Sequence, residues 1–212
     1  DAVIYKIKNM IERIISEKRD GDTLVFLSGE KQIKDCITLL NASQYRKKMV
    51  ILPLYGRLSK EEQERVFIPT PSGKTKIVIA TNIAETSVTI DRITSVIDSG
   101  LAKINTYNPK TFTSALLETT IAKASCNQRK GRAGRTMPGV CYRLYTKNDY
   151  ESRPLFTKEE IYRTDLSEVV LRMAAIGIRD FESFDFISSP GKQGIAGAVE
   201  TLKLLGAINN DN

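Results

Sequence analysis

The apolar residues in the first hundred positions alternate between helical and strand-like spacing. Val and Ile recur every three or four residues from Val3 to Ile15, which predicts an amphipathic helix ending at Asp20-Gly21-Asp22. Short apolar runs bounded by turn residues predict strands at 23–27, 49–54, 76–80 and 94–97, with helices at 30–40 and 59–67 between them. The second of these helices opens with a capping box formed by Ser59 and Glu62. Strands that alternate with helices in this way predict an α/β fold, a parallel sheet with helices on both faces.

The pattern changes after Leu101. Two strands are predicted at 102–107 and 112–119, flanking Asn108-Pro109-Lys110-Thr111, and together they predict a β-hairpin at about 101–120 that projects from the sheet. One more strand is predicted at 140–145. After Arg153-Pro154 helical spacing dominates, at 166–176 and 194–205. We therefore expect one domain over residues 1–153 and a mainly helical one over 154–212, which is short for an independent core and is expected to be incomplete.

The charge of the chain is concentrated in one stretch. The net charge is +7, and residues 101–163 contain 12 Lys and Arg against 5 Asp and Glu, an excess equal to that of the whole chain. A concentrated basic segment is typical of a protein with a polyanionic partner, but a solvated basic surface gives the same count. Charge alone leaves both interpretations open.

Composition excludes several classes of function. The chain has no histidine, which excludes Ser-His-Asp and Cys-His catalysis and a Cys/His zinc site. Three scattered cysteines do not make a disulfide framework, and we expect reduced thiols in a cytoplasmic protein. No apolar run approaches the ~20 residues of a membrane helix, so no membrane partner is expected. The first residue is Asp1 rather than Met, and we expect the chain to be part of a longer protein.

The most distinctive stretch is Gln128-Arg129-Lys130-Gly131-Arg132-Ala133-Gly134-Arg135. Arginines three residues apart are expected on one face of a helix. Their guanidinium groups stay charged and bind phosphate oxygens through paired N–H groups, while glycine lets the backbone approach a ligand closely. Six specified residues in this order arise by chance with odds on the order of one in a hundred thousand. A solvated basic helix is therefore not a sufficient explanation.

This stretch resembles motif VI of superfamily 2 helicases. Residues 80–90 resemble motif V of the DEAH-box group, residues 24–29 are similar to motif IV, and residues 53–59 match the motif IVa that follows it. The four motifs occur in the family's order, and Tyr107-Asn108-Pro109 and residues 141–145 match its hairpin and last strand. The chain thus resembles the second RecA-like lobe of a DEAH-box (DEAH/RHA) ATP-dependent RNA helicase. Residues 127–131 and 152–154 look most like the bacterial HrpA-type branch.

The resemblance implies a RecA-like, P-loop NTPase-type sheet, followed by the start of a winged-helix domain, which residues 159–166 resemble. It also implies that the lobe meets ATP. Gln128, Arg132 and Arg135 would face the phosphates, with the two arginines acting as arginine fingers. Asp91 and Thr89 would hold the ribose hydroxyls.

Phe67 would stack on adenine, although a core anchor for the helix opened by Ser59 is an alternative role for it. The sequence departs from the family at Arg92, where relatives often have Gly, and at Arg57, where a small hydroxyl residue is common. Both departures add charge, Arg92 near the nucleotide and Arg57 near the RNA. Neither removes an expected role.

The resemblance further implies contacts with the backbone of single-stranded RNA. The residues expected to make them follow the strands or lie at the base of the hairpin: Thr81, Asn82, Gly29, Arg57 beside Gly56, and Lys103. The residue types themselves do not distinguish RNA from DNA. A DNA motor, or a nucleic-acid-binding scaffold without ATPase activity, therefore remains an alternative hypothesis.

The chain contains no GxxxxGK[ST] loop and no Asp-Glu-Ala-His sequence. The lysine that cradles the phosphates and the carboxylates that hold Mg²⁺ are therefore expected on a preceding lobe, the first RecA-like lobe of the same protein. ATP with Mg²⁺ would bind between the two lobes. The isolated chain is expected to be inactive.

Overall fold

The computed structural model describes residues 2–86, 88–108, 113–162 and 164–209. These residues form two compact units, one of Asp1–Lys103 with Glu118–Thr157 and one of Ile104–Leu117 with Lys158–Asn212. The strands are β1 (Asp22–Phe26), β2 (Met49–Leu54), β3 (Thr75–Ala80), β4 (Ile93–Asp98), β5 (Leu101–Asn108), β6 (Thr113–Thr120) and β7 (Val140–Arg143). The helices are α1 (Ala2–Ser16), α2 (Glu30–Asn41), α3 (Lys60–Glu64), α4 (Lys123–Gly131), α5 (Lys147–Ser152), α6 (Ser167–Ala175) and α7 (Lys192–Leu204).

The first unit is built on a five-stranded sheet with the order β2-β3-β1-β4-β7. Every neighbouring pair is parallel, with Val25 of β1 beside Ile79 of β3 and Ile97 of β4. The inner strands are almost entirely buried, because helical segments cover both faces of a parallel sheet. The predicted parallel sheet is therefore confirmed.

The two faces of this sheet carry separate hydrophobic clusters. On one face, α1 and α2 bury Ile7, Ile11 and Leu40 together with Val25 and Ile79 of the sheet. On the other face, single helical turns supply the cover: Val66 after α3, Ala84 after β3 and Ala133 after α4. The second face is thus covered mainly by the short segments that contain the candidate site residues.

Several predicted boundaries differ from the structure, and the first helix ends at Ser16 rather than at Asp20. The helix opened by Ser59 has the predicted capping box, since Ser59 Oγ accepts from the Glu62 amide at 3.3 Å and the Glu62 carboxylate from the Ser59 amide at 2.9 Å. It continues only to Glu64, and Arg65–Phe67 is a 3-10 turn. The last strand ends at Arg143 rather than Tyr145. Tyr145, beyond that end, donates its hydroxyl to Asp98 at 2.7 Å.

The predicted hairpin is present as the two-stranded sheet β5-β6. The predicted turn at Pro109-Lys110-Thr111 lies outside the described residues, and so does Phe112. The same holds for Ser87, in the motif V match, and for Arg163. The base of the hairpin is closed by a hydrogen bond from the Ile121 amide to the Gly100 carbonyl at 3.0 Å. This base belongs to the first unit.

The second unit is mostly helical. Helices α6 and α7 pack around Leu166, Val170, Ile195, Ala198 and Leu202. The winged-helix assignment for this part of the chain stays a prediction. In the part of the chain that the structure describes, no helix combines the length and the apolar character that crossing a membrane requires.

Candidate functional site

The three arginines of the QRxGRxGR stretch all donate to the segment that follows β3, as arginines on one side of a helical stretch would. Helix α4 ends at Gly131, and residues 132–134 form a 3-10 turn with fewer residues per turn. Residues three apart eclipse in a 3-10 turn, so Arg132 and Arg135 stay on the same side, and the three arginines differ in burial. Arg129 is fully buried, Arg132 is partly buried, and Arg135 is exposed, as is Gln128.

Arg132 and Arg135 lie next to each other and both contact the segment that follows β3. Arg132 Nη1 donates to the Val88 carbonyl at 2.7 Å, and its Nη2 donates to the Glu85 carbonyl. Arg135 Nη1 donates to Thr89 Oγ1. Burial, and then the positive charge of Arg135, lower the pKa of Arg132 against the opposing effect of Glu85. Because a guanidinium has five N–H groups, these contacts still leave donors for an anion.

Residues 81–91, called here the crossing segment, run from the end of β3 to the start of β4. Since these strands are parallel, the segment passes from the carboxyl edge of the sheet to its amino edge. At the first end the Thr81 amide donates to the Leu54 carbonyl at 3.1 Å, and Asn82 is exposed. At the other end Thr89 and Asp91 are exposed. One short stretch therefore presents polar side chains at both edges.

Gly29 and Lys103 meet at the carboxyl edge. A Cβ at Gly29 would lie 3.1 Å from Lys103 Cε and 3.2 Å from its Nζ, so the missing side chain makes room for the lysine. Beside them Ser28 Oγ donates to Gln32 Oε1 at 2.9 Å and also contacts the Glu118 carboxylate. The structure thus brings together two of the residues expected to bind RNA, which lie 74 residues apart in the sequence.

Arg57 lies beyond the end of β2 and is exposed. The Lys34 ammonium holds the pKa of the Glu30 carboxyl below its ordinary value, with a smaller contribution from Arg57. Arg57 is therefore near the start of α2, which also begins at this edge. A Cβ at Gly56 would meet nothing within 4 Å, so the turn before Arg57 is open to solvent.

Phe67 lies at the amino edge and does not anchor the core. Its side chain is 49% exposed, whereas the neighbouring Val66 is fully buried and fills the anchoring position. Lys76 Nζ donates to the carbonyls on either side of Phe67, to Val66 at 2.8 Å and to Ile68 at 2.6 Å. These bonds fix the backbone around Phe67 while its ring stays exposed.

Sequence reasoning missed Lys76. Burial lowers its pKa, and the carboxylates of Asp22 and Asp91 oppose that shift, which places Asp91 near the same ammonium group. The available signal was a lysine at the start of an otherwise apolar strand. Lys76 therefore fixes the backbone around Phe67, and its ammonium group lies within electrostatic reach of Asp91.

Arg92 adopts a left-handed backbone with φ of 62°. This conformation favours glycine, which accounts for the glycine expected at this position in DEAH-box helicases. The Arg92 guanidinium donates to Asp20 at 3.0 Å, and its carbonyl accepts from the Asp22 amide at 2.7 Å. The side chain is thus engaged in an ion pair, and the turn after Asp91 keeps the geometry of a glycine turn.

Sequence reasoning also missed the role of Arg129. Its guanidinium donates to Glu85 Oε1 at 2.8 Å, to Asp98 Oδ1 at 2.7 Å and to the Leu101 carbonyl at 3.1 Å, and lies 4.8 Å from the Phe26 ring centroid. Its carboxylate partners are 44 and 31 residues away in the chain. A buried acid at the end of an apolar strand, Asp98, was the only signal for this contact.

Comparison with known proteins agrees with the geometry. The model of the helicase conserved C-terminal domain matches residues 5–137. The chain belongs to this family. It is 56% identical over 211 residues to an ATP-dependent RNA helicase HrpA of Borreliella burgdorferi, covering all of this chain and 26% of that protein. It is 47% identical over 197 residues to HrpA of Escherichia coli, covering 93% of this chain and 15% of that protein.

Solved structures of helicase relatives share the fold. The structure of the E. coli DEAH/RHA helicase HrpB matches with a TM-score of 0.88 at 30% identity, and that of the E. coli DExH-box NTPase HrpB with 0.86 at 31%. Each match covers all of this chain and 26% of the other. The RecA-like fold of the helicase C-terminal domain and the resemblance to HrpA-type DEAH-box helicases are confirmed. The chain spans about a quarter or less of these relatives.

Proposed function

We propose that this helicase C-terminal domain is the second motor lobe of an ATP-dependent RNA helicase or translocase. The observation that carries the proposal is the pair of adjacent guanidinium groups, Arg132 and Arg135, held against the ATP-facing end of the crossing segment. Two like charges held together in one place are suited to a multiply charged phosphate. A preceding lobe would supply the phosphate-cradling lysine and the ligands of Mg²⁺.

The ATP-facing residues fit such a ligand. Cβ atoms at Gly131 and Gly134 would meet nothing within 4 Å, so no internal packing requires glycine beside the two arginines. Arg132 and Arg135 would meet the negative charge on the γ-phosphoryl group during transfer, and Gln128 would contact the same phosphate. Bound Mg²⁺ would neutralise further phosphate charge. Thr89, Asp91 and Phe67, at the end of the crossing segment and at the amino edge, would hold the ribose and the adenine.

The RNA-facing residues fit a single-stranded backbone. Lys103 above Gly29 offers an ammonium group, and Thr81 and Asn82 offer polar side chains at the same edge. Arg57 adds a guanidinium near the start of α2. Contacts of this kind bind phosphates and do not select bases. The proposed ligand is therefore single-stranded RNA without a required base sequence. The proposed partner within the same protein is the first RecA-like lobe.

The proposal is tested by comparing this chain with the longer protein that also carries the preceding lobe. We expect the purified 212-residue chain not to hydrolyse ATP, because half of the phosphate site lies elsewhere. The longer protein should hydrolyse ATP with Mg²⁺, faster when single-stranded RNA is added. Single-stranded DNA of the same sequence serves as the comparison. Robust Mg²⁺-dependent turnover by the chain alone would contradict the division of the site, and a longer protein without turnover would contradict the function.

Lys103→Ala is expected to weaken RNA binding by the longer protein and to lower its salt dependence. Loss of one phosphate contact should reduce the slope of log K against log salt by about 0.7. ATP turnover at saturating RNA should stay unchanged, because no ATP-facing group is altered. Filter binding at several salt concentrations measures the slope, with Lys147→Ala as control, an exposed lysine on α5. An unchanged slope would show that Lys103 does not contact phosphate.

Thr81→Ala is expected to lower the RNA stimulation of ATP hydrolysis more than the basal rate. The structure gives Thr81 two backbone hydrogen bonds, which alanine keeps, so the crossing segment should remain folded. Loss of one hydroxyl contact should cost about 1 kcal/mol of RNA affinity. ATPase rates against RNA concentration give both quantities, and Thr38→Ala on α2 is the matched control. Equal losses in basal and stimulated rates would show that Thr81 has a structural role.

A further inference from the structure

Arg129 is the largest fully buried side chain in the described part of the molecule. A buried cation has a large desolvation cost unless partners surround it, and here two carboxylates and a carbonyl do so. Asp98 also accepts from the Gly100 amide at 2.9 Å and from the Tyr145 hydroxyl at 2.7 Å. Buried ion pairs can often be replaced by apolar residues without loss of stability, so stability alone does not account for this polar network.

The three groups bound by Arg129 belong to three different parts of the site. Glu85 is in the crossing segment, Asp98 ends β4, and Leu101 is the first residue of hairpin strand β5. Arg129 itself directly follows Gln128 on α4. Only the planar fork of an arginine reaches three acceptors in fixed directions at once. A movement of the crossing segment relative to α4 must therefore break these bonds or move the base of the hairpin.

A second buried arginine holds the same hairpin base without touching the crossing segment. Arg153 Nη1 donates to the carbonyls of Gly100 at 2.9 Å and Ile121 at 3.2 Å, and its Nε donates to Asp149 at 2.8 Å. The hairpin base is therefore secured even without Arg129. What Arg129 adds is the connection from that base to Glu85.

We propose that Arg129 is a positioning residue that couples the crossing segment to the base of the hairpin through Glu85. The inference rests on the proposed function, since the crossing segment would contact ATP at one end and RNA at the other. ATP binding that shifts this segment would be transmitted to β5 through a rigid set of hydrogen bonds. Coupling between ATP binding and RNA binding requires a part of the structure whose conformation both ligands affect. The hydrogen bonds of Arg129 form such a part.

The test uses Glu85→Gln in the longer protein. This change keeps the shape of the side chain and leaves Arg129 paired with Asp98, so folding is expected to persist. The ratio of RNA-stimulated to basal ATPase should fall about five-fold or more, while RNA affinity changes less than about two-fold. Asp149→Asn is the matched control, because it removes a carboxylate from the other buried arginine, Arg153, and should leave the ratio intact.

Hydrogen exchange provides a second readout that a purely structural role would not change. In the wild-type protein, exchange at Leu101 and Ala102 should differ between the free form and a complex with a non-hydrolysable ATP analogue. This difference should be lost in Glu85→Gln, and also in Arg129→Lys, which keeps the charge but not the fork. If Glu85→Gln and Arg129→Lys both kept the wild-type ATPase ratio and the wild-type exchange difference, the inference would be overturned. An equal fall of the ATPase ratio in Asp149→Asn would also overturn it. A wild-type protein without ATPase activity would instead overturn the proposed function, and the inference with it.

Discussion

Replacing Arg135 with alanine in the longer protein is expected to lower kcat for ATP hydrolysis by about a thousandfold or more, with RNA affinity near normal. An arginine finger acts on charge that grows in the transition state, so its loss reduces turnover far more than ground-state binding. The Arg135 guanidinium is exposed, and its contact within this domain is with the hydroxyl of Thr89. Folding should therefore be unaffected, and thermal unfolding should show no shift.

Arg132→Ala should lower kcat to a similar extent and should also destabilise the domain. Arg132 donates to the carbonyls of Glu85 and Val88, and its removal leaves both acceptors without this donor. A loss of about 1–2 kcal/mol in the free energy of unfolding follows from two such bonds. The control is Arg172→Ala, which removes an exposed arginine that pairs with Glu168 on α6. Near-wild-type turnover in both Arg132→Ala and Arg135→Ala would show that the ATP-facing assignment is wrong.

The inner strands of the sheet were predictable from sequence because they are buried on both faces. Buried parallel strands form short apolar runs such as 23–27 and 76–80, and turn residues mark their ends. The pairing order of the strands needs information that a local pattern does not contain. The helix opened by Ser59 was predictable at its start because a capping box is a local signal. Its change to a 3-10 turn at Arg65 occurs where Val66 enters the core, and such a tertiary contact is not contained in a local pattern.

The candidate site was predictable where the residue types themselves are distinctive. It was not predictable where a side chain depends on partners far away in the sequence. Arg132 and Arg135 carry their chemistry in the sequence itself. The burial of Arg129 depends on Glu85 and Asp98, which only the folded chain brings together. The three-residue spacing predicted that the three arginines meet one surface, and each of them donates to the crossing segment. Helix α4 gives way to a 3-10 turn after Gly131, where Ala133 enters the core of the second face.

Two glycines near the end of the arginine stretch are expected to respond in opposite ways to substitution by alanine. A Cβ at Gly139 would lie 2.0 Å from the Ala133 carbonyl oxygen and 2.6 Å from that of Thr94, and backbone atoms cannot rotate away. Gly139→Ala should therefore destabilise the domain by about 3 kcal/mol or more, through overpacking between β4 and the turn that holds Arg132. The midpoint of urea unfolding measures this loss.

Gly134→Ala should leave the stability unchanged or slightly raised, since its Cβ would meet nothing within 4 Å and the residue lies in a helical turn. In the longer protein the same methyl group would project beside Arg132 and Arg135, where ATP and the preceding lobe are proposed to approach. ATP turnover should then fall about ten-fold or more, because small displacements of positioned groups have large effects on rate. Gly197→Ala, on α7 where a Cβ also meets nothing and the backbone is helical, is the control for turnover. If Gly134→Ala kept full activity, the space beside the two arginines would not be needed for a ligand, and the ATP-facing surface would have to lie elsewhere on the domain.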